Sequence, residues 1–126
     1  MHHVVTAMLL VVAVIHLLPL TGLLGAEQLG RLYGLSITEP NLSILMLHRA
    51  VLFGLLGALL AIAAFVPSLQ PIAFVAGAIS VGSFLVIAWL VGGYNTQIDR
   101  VVKADLLAAV CLAVGYAAHW YASSTR

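Results

Sequence analysis

A histidine and an arginine stand side by side in a strongly apolar stretch of this chain, LMLHRAVLFG at residues 45–54. They are His48 and Arg49. A histidine exchanges protons near neutral pH, and an arginine can hold an anion or an oxyanion through its N–H donors. Because an ionised group among apolar residues is costly unless something neutralises it, the pair is a candidate functional site.

Further groups able to do chemistry lie in other apolar stretches. His16 lies in the first and Asp105 in the last. Asp99 and Lys103 are four residues apart, a spacing that favours an ion pair along one helix. Together these groups suit acid–base chemistry or the binding of a polar headgroup. The candidate site therefore comprises His16, His48, Arg49, Asp99, Lys103 and Asp105.

No signature of nucleotide-dependent or hydrolytic chemistry accompanies these residues. The chain has no serine elbow, P-loop, dinucleotide fingerprint or HExxH motif. Its one cysteine, Cys111, excludes an intrachain disulfide and a multi-cysteine metal site. No metal site is predicted, because no third ligand accompanies His16 and His48. Those two histidines on separate helices can still ligate a haem, and haem or a quinone are the only cofactors that stay open.

The elements that carry these residues are apolar enough to cross a membrane. The chain is 63% hydrophobic and 7% charged, with a mean hydropathy of +1.17, whereas globular domains have roughly 25% charged residues. A helix needs about 20 apolar residues to cross ~30 Å of hydrocarbon. We therefore predict an all-α polytopic membrane protein, a single domain over residues 1–126. Its four-helix transmembrane bundle has spans at about 4–24, 41–66, 71–93 and 101–122.

Two connections between the spans are informative. The link PSLQP at 67–71 is so short that spans two and three must be antiparallel neighbours. Between spans one and two, Glu27 and Arg31 are four residues apart with apolar residues between them. This pattern predicts a short amphipathic helix at the membrane surface. It is either a lid over the site or a plain connector.

Several other residues are candidates for the wall and mouth of a pocket. Pro19 removes a helical hydrogen bond and frees the carbonyl of Ile15 beside His16. Serines in such helices often bond their own backbone, and aromatic residues near a helix end often belong to the interfacial belt. With those alternatives open, the wall and mouth candidates are Arg31, Ser80, Ser83, Tyr94 and Asn95.

Small residues recur at close-packing intervals within spans two and three. They are Gly54 and Gly57, Ala73 and Gly77, and Ala78 and Gly82. Such residues let helix backbones approach each other. They predict intramolecular packing, with a dedicated dimer contact as the alternative.

The charged residues are segregated along the chain. If the spans alternate in direction, eight of the nine belong to one end of the bundle. That end has four basic residues against Arg126 alone at the other, so the positive-inside bias predicts that it is cytoplasmic and that both termini are periplasmic. At ~1.5 Å per residue the site candidates lie at similar depth, and Asp105 is the best-placed partner for Arg49. The net charge of +1 and the absence of a Lys/Arg cluster exclude nucleic acid as a partner.

Three interpretations of the buried polar set stay open. In the first, a pocket roofed by residues 25–39 binds an amphipathic, lipid-like or quinone-like molecule, and the chain is a binding, carrier or accessory protein. In the second, His16, His48, Arg49 and Asp105 serve a small membrane enzyme of isomerase or redox-accessory type. In the third, Arg49 and Asp105 clamp two helices of a structural subunit. The expected partners are membrane lipid, a hydrophobic small molecule, and a second copy or a larger membrane complex.

Two stretches, GLSITEPNLSILMLHRAVLFGLLG at 34–57 and GGYNTQIDRVVKADLLA at 92–108, resemble a bacterial group of short four-span, DoxX-like membrane proteins. The similarity covers most of the chain, and HRAVLFG, GGYN and the stretch from Arg100 to Asp105 are its clearest parts. It implies a helical bundle in the bacterial inner membrane, with a polar cavity for quinone-like or lipid-like molecules. Some members carry the name phosphopantetheine adenylyltransferase, but this chain has no HxGH-type phosphate motif and no Rossmann-like pattern.

Overall fold

The computed structural model describes residues 2–125, without the side chain of Ala26. Arg126, which enters the topology prediction, lies outside the described residues. Within this range the chain forms helices and no strand, which confirms the all-α class. The α-helices are α1 (His2–Leu17), α2 (Ala26–Tyr33), α3 (Pro40–Ala63), α4 (Gln70–Val91) and α5 (Thr96–Ser124). Two 3₁₀ segments, Leu18–Leu24 and Pro67–Leu69, continue α1 and precede α4.

Within residues 2–125, four helical stretches are long and apolar enough to cross a membrane. They are His2–Leu24, Pro40–Ala63, Pro67–Val91 and Thr96–Ser124. Large apolar side chains also cover their outward faces, among them Leu55, Ile79, Leu106 and Val110. A helix that is apolar on all sides belongs in a protein core or in lipid. The architecture is therefore that of a multi-pass membrane protein.

The four long helices form an antiparallel bundle. α1 packs against α3 and α5, and α4 packs against the same two helices from the other side. The Thr6 hydroxyl near the start of α1 donates to the carbonyl of Ala64 just after α3, at 2.9 Å. Leu9 and Leu60 are fully buried between these helices. The last turns of α1 and the first turns of α3 and α5 thus share one end of the bundle, which we call the α2 end.

The fourth long helix begins earlier than hydropathy indicates, at Thr96 and not at about residue 101. The Asn95 carboxamide oxygen accepts a hydrogen bond from the N–H of Ile98 at 2.8 Å. Such a cap satisfies one of the free amides at a helix start. The polar residues after it are therefore helical, and Arg100 and Asp105 lie on the same rigid helix.

Pro19 changes the winding of the first long helix. The α-helix ends at Leu17, and the chain continues as a 3₁₀ helix to Leu24. Proline cannot donate the α-helical hydrogen bond, and the chain around it adopts the tighter 3₁₀ winding. Gly22 in this segment lets the chain fold back, because an added Cβ would lie 2.6 Å from the Leu29 side chain. α2 is thereby packed against the end of the bundle.

α2 has one buried and one exposed face. Leu29 and Tyr33 are buried with Ile37, whereas Glu27 and Arg31 form an exposed ion pair at 2.7 Å. This confirms the short amphipathic helix predicted from their spacing.

The chain then enters α3 through a capped start. Glu39 accepts hydrogen bonds from the N–H groups of Asn41 and Leu42 at 3.0 and 2.8 Å, and these bonds lower the pKa of its carboxyl group. Pro40 follows at the first helical position, where its missing N–H is not needed. Both features fix the start of the helix that carries Arg49.

Candidate functional site

A partly open cavity of about 260 Å³ lies at the α2 end of the bundle, lined by residues of α1, the 3₁₀ segment after it, α2, α3 and α5. We call it the site cavity. Ile15, Pro19, Phe53, Val101 and Ala104 contribute to its apolar wall. Its polar lining consists of His16, Arg31, Tyr33, Arg49, Gln97, Arg100 and Asp105. Of the residues predicted for a polar pocket, His16, Arg31, Arg49 and Asp105 line this one cavity.

Arg49 is surrounded by aromatic groups. Its Nη1 donates a hydrogen bond to the hydroxyl oxygen of Tyr33 at 2.6 Å. Its Cζ lies 4.5 Å from the ring centre of Phe53, 5.1 Å from that of Tyr33 and 5.9 Å from that of Phe84. Cation–π contacts of this kind hold a guanidinium in place without neutralising its charge. Arg49 thus presents a fixed positive charge to the cavity.

Asp105 lines the same cavity but does not form an ion pair with Arg49. Its side chain is 7% exposed. Among residues 2–125 the side-chain ion pairs within 4.0 Å are Glu27–Arg31 and Asp99–Lys103. The direct Arg49–Asp105 contact expected from their depth is absent, because Tyr33 and the rings draw the guanidinium to themselves. The two opposite charges face the cavity separately.

His16 is fully buried and hydrogen-bonded. Its Nδ1 lies 2.9 Å from the carbonyl oxygen of Val12, which can only accept, so this nitrogen carries a proton. Its Nε2 lies 3.3 Å from the Ser80 hydroxyl, which donates to it when the ring is neutral. His16 therefore joins α1 to α4 at the inner wall of the cavity. Ser80, a candidate for the wall or mouth of the pocket, contacts His16 from behind and lines the neighbouring groove between α3 and α4 instead of the site cavity.

Other candidates lie outside the site cavity. His48 is exposed, because the next residue along a helix points about 100° away and Arg49 takes the inward position. Lys103 is exposed and binds Asp99 at 2.9 Å, which confirms the predicted pair but places it on the surface. Tyr94 is exposed too.

Ser83 belongs to a second groove. This groove of about 320 Å³ lies between α3 and α4 and is also lined by Arg49 and Phe53. The Ser83 hydroxyl donates to the backbone carbonyl of Ser80 at 3.1 Å, the bonding considered as the alternative to a pocket role. The Ser83 hydroxyl therefore forms its hydrogen bond within α4.

The two histidines do not fit a haem. Both ring nitrogens of His16 are within hydrogen-bonding distance of protein groups, and His48 points outward from another helix. No group of three or more potential metal ligands occurs in the described part of the chain.

Several lining residues were not among the candidates. Arg100 and Gln97 precede Ala104 by four and seven residues on α5, so the helical period places all three on one face. That period was a usable signal. Tyr33 and Phe53 had no such signal, because their role depends on how α2 and α3 meet.

Asn95 ties α2 to the start of α5. Its amide nitrogen donates to the carbonyl oxygens of Tyr33 at 2.8 Å and Gly34 at 3.3 Å, while its oxygen caps α5. Gly34 has a positive φ of 66°, and a Cβ there would lie 2.8 Å from the Asn95 amide nitrogen. Asn95, predicted at the mouth of the pocket, thus fixes Tyr33 over the site.

Replacing Asn95 by aspartate separates its two roles. Asn95→Asp keeps an oxygen that can cap α5 but loses the N–H groups that bind α2. We expect hydrogen exchange of the α2 amides to rise about fivefold, equivalent to about 1 kcal/mol for a hydrogen bond, with the start of α5 unchanged. Asn95→Ala should release both segments. Unchanged exchange in α2 for both variants would contradict this role.

Comparisons with known proteins indicate no function for this chain, so the function is inferred from the cavity. The side chains around it offer a fixed cation, hydrogen-bond donors and apolar walls within one small volume. No protein-family model, no curated protein and no solved structure matches the chain.

Proposed function

We propose that the chain is an integral membrane protein that binds a lipid-like or quinone-like small molecule in the site cavity, as a binding, carrier or accessory protein. The observation that carries this proposal is Arg49, whose guanidinium faces the cavity with no carboxylate oxygen within 4.0 Å in the described residues. An arginine at this depth is costly unless it is neutralised or hydrated. A ligand with a polar head and an apolar body would supply both the neutralising group and the contacts with the walls.

The distribution of charge and apolar surface supports insertion in a membrane. The long helices are apolar on their outward faces, whereas the charged residues in the described range cluster at the α2 end. We place this end at the cytoplasmic face of the bacterial inner membrane, following the positive-inside bias, with both termini periplasmic. α2 then lies at the interface, with Leu29 toward the bundle and Glu27 and Arg31 toward water. Membership of the DoxX-like group, based on HRAVLFG and GGYN, is part of the same proposal.

The observed contacts favour binding over the two rival functions. A structural clamp requires Arg49 and Asp105 to contact each other, and they do not within 4.0 Å. An acid–base enzyme requires a base turned toward its substrate. His48 is outside the cavity, and both ring nitrogens of His16 lie beside Val12 and Ser80, so neither histidine is free to act as that base and Asp105 is left without a histidine partner. A ligand pocket requires only the charge and walls that are present.

Filling the cavity with a larger side chain tests the proposal. Ala104 on α5 lines the site cavity, and Ala117 on the same helix is exposed. We expect the wild type and Ala117→Phe, purified from membranes, to retain a small amphipathic molecule detectable by native mass spectrometry. Ala104→Phe should lose it, because the ring occupies a large part of about 260 Å³. Equal retention by both variants, or no enriched molecule in the wild type, would contradict the proposal.

A further inference from the structure

We infer that the site cavity accepts an amphiphile with an anionic oxygen headgroup, a carboxylate or a phosphate; this inference rests on the proposed function. The charges of the lining residues carry it. Three arginines, Arg31, Arg49 and Arg100, line the cavity, and Asp105 is the one acidic residue that does. The lining therefore has an excess of positive charge although the chain has a net charge of only +1.

The existing ion pairs leave the excess positive charge of the lining on Arg49 and Arg100. Arg31 is bound by Glu27 at the exposed edge of α2. Arg49 and Arg100 have no acidic oxygen within 4.0 Å in the range 2–125, and Lys103 already binds Asp99 on the outer surface. The cavity is thus lined by the partly buried Arg49 and, at its exposed rim, by Arg100, against the one carboxyl group of Asp105. Because these arginines are far apart in sequence, no cluster of basic residues reveals them.

The hydrogen-bonding groups around the cavity also favour an acceptor-rich headgroup. Tyr33 accepts from Arg49 through its hydroxyl oxygen, so the hydroxyl proton stays free to donate. Gln97 adds an amide group. Guanidinium groups bind the paired oxygens of carboxylates and phosphates especially well, and such bonds are stronger where water is excluded. A neutral quinone or alcohol would use one or two donors and leave the positive charge in place.

The apolar wall determines the rest of the ligand. The apolar lining consists of Ile15 from α1, Leu18 and Pro19 from the 3₁₀ segment after it, and Val101 and Ala104 from α5, among others. A hydrocarbon chain beside these residues keeps its contacts apolar while its head stays at Arg49. A cavity with positive charge in one part and an apolar wall in another fits a single-chain anionic amphiphile better than a free anion.

Matched probes that differ only in the headgroup test the inference. The full-length wild type in phosphatidylcholine nanodiscs is titrated with palmitate, hexadecyl phosphate and hexadecanol, and also with decylubiquinone, by native mass spectrometry. We expect at least one anionic probe to bind about tenfold or more tightly than hexadecanol. Preference for palmitate would identify a carboxylate ligand, and preference for hexadecyl phosphate a phosphate ligand. If a neutral probe binds as tightly, the inference fails while the proposed function stands; if no probe binds, both fail.

Two charge substitutions distinguish the effect of a charge that lines the site cavity from the effect of the general electrostatic field at the α2 end. Arg100 lines the cavity and Lys103 does not, although they are three residues apart on α5. Arg100→Gln should weaken the anionic probe about two- to fivefold and leave hexadecanol unchanged. Lys103→Gln removes the same charge and should leave the affinity for both probes unchanged. Equal weakening by the two variants would overturn the inference.

Discussion

The Arg49→Met variant is expected to fold like the wild type and to bind the amphiphilic ligand about tenfold to a hundredfold more weakly. The loss follows from the removal of charge-assisted hydrogen bonds, each contributing roughly 1.5–3 kcal/mol. The fold should persist because Arg49 is held by the Tyr33 hydroxyl and by aromatic rings, not by a carboxylate. Methionine keeps an apolar stem of similar length beside those rings. Binding is measured in nanodiscs, and stability by denaturation in the same preparation.

A double-mutant cycle distinguishes this result from the structural clamp. In a clamp, Arg49→Met strands the buried charge of Asp105 at about 3–5 kcal/mol, and adding Asp105→Leu restores stability. Because the two side chains form no direct ion pair, the coupling energy between the two positions should stay well below the ~3–5 kcal/mol of a clamp. Arg49→Lys serves as the control that keeps the charge and loses the planar fork. A large loss of stability in Arg49→Met that Asp105→Leu reverses would refute the separate roles of these residues.

The sequence was sufficient for features that depend on spacing along one helix. The number of long helices follows from the length of the apolar stretches, and the structure has four. The ion pair predicted from i,i+4 spacing, Asp99–Lys103, is present, and the amphipathic helix predicted from the same spacing of Glu27 and Arg31 is present too. Each depends only on residues one helical turn apart. Such contacts need no knowledge of how helices are arranged.

The sequence does not show in the same way which residues of a helix face the interior of the bundle. On these helices the outer face is as apolar as the inner one, so the hydrophobic pattern does not tell adjacent residues apart. His48 and Arg49 were equal candidates for that reason, yet one is outside and the other lines the cavity. The arrangement around Arg49 also depends on Tyr33 of α2 and Phe84 of α4. Those neighbours follow from the tertiary packing alone.

The glycines show the same limit. Gly57 and Gly82 both stood out as small residues at packing intervals, but their surroundings differ. At Gly57 an added Cβ would lie 2.7 Å from Leu17 Cδ2 and 3.3 Å from the backbone oxygen of Ala13. At Gly82 nothing lies within 4 Å. Only the first position is a close approach between two helices of the bundle.

The Gly57→Val variant is therefore expected to lower the free energy of unfolding by about 1–3 kcal/mol or more, the usual range for overpacking. The new side chain must displace Leu17 and push the backbone of α1 away from α3, and this movement also disturbs His16 in the next position of α1. Gly82→Val is the matched control on α4, where open space should keep the change within about 0.5 kcal/mol. Denaturant titration in detergent micelles measures both. Equal stability of the two variants would contradict the α1–α3 contact and, with it, the position of the wall that His16 contributes to the site cavity.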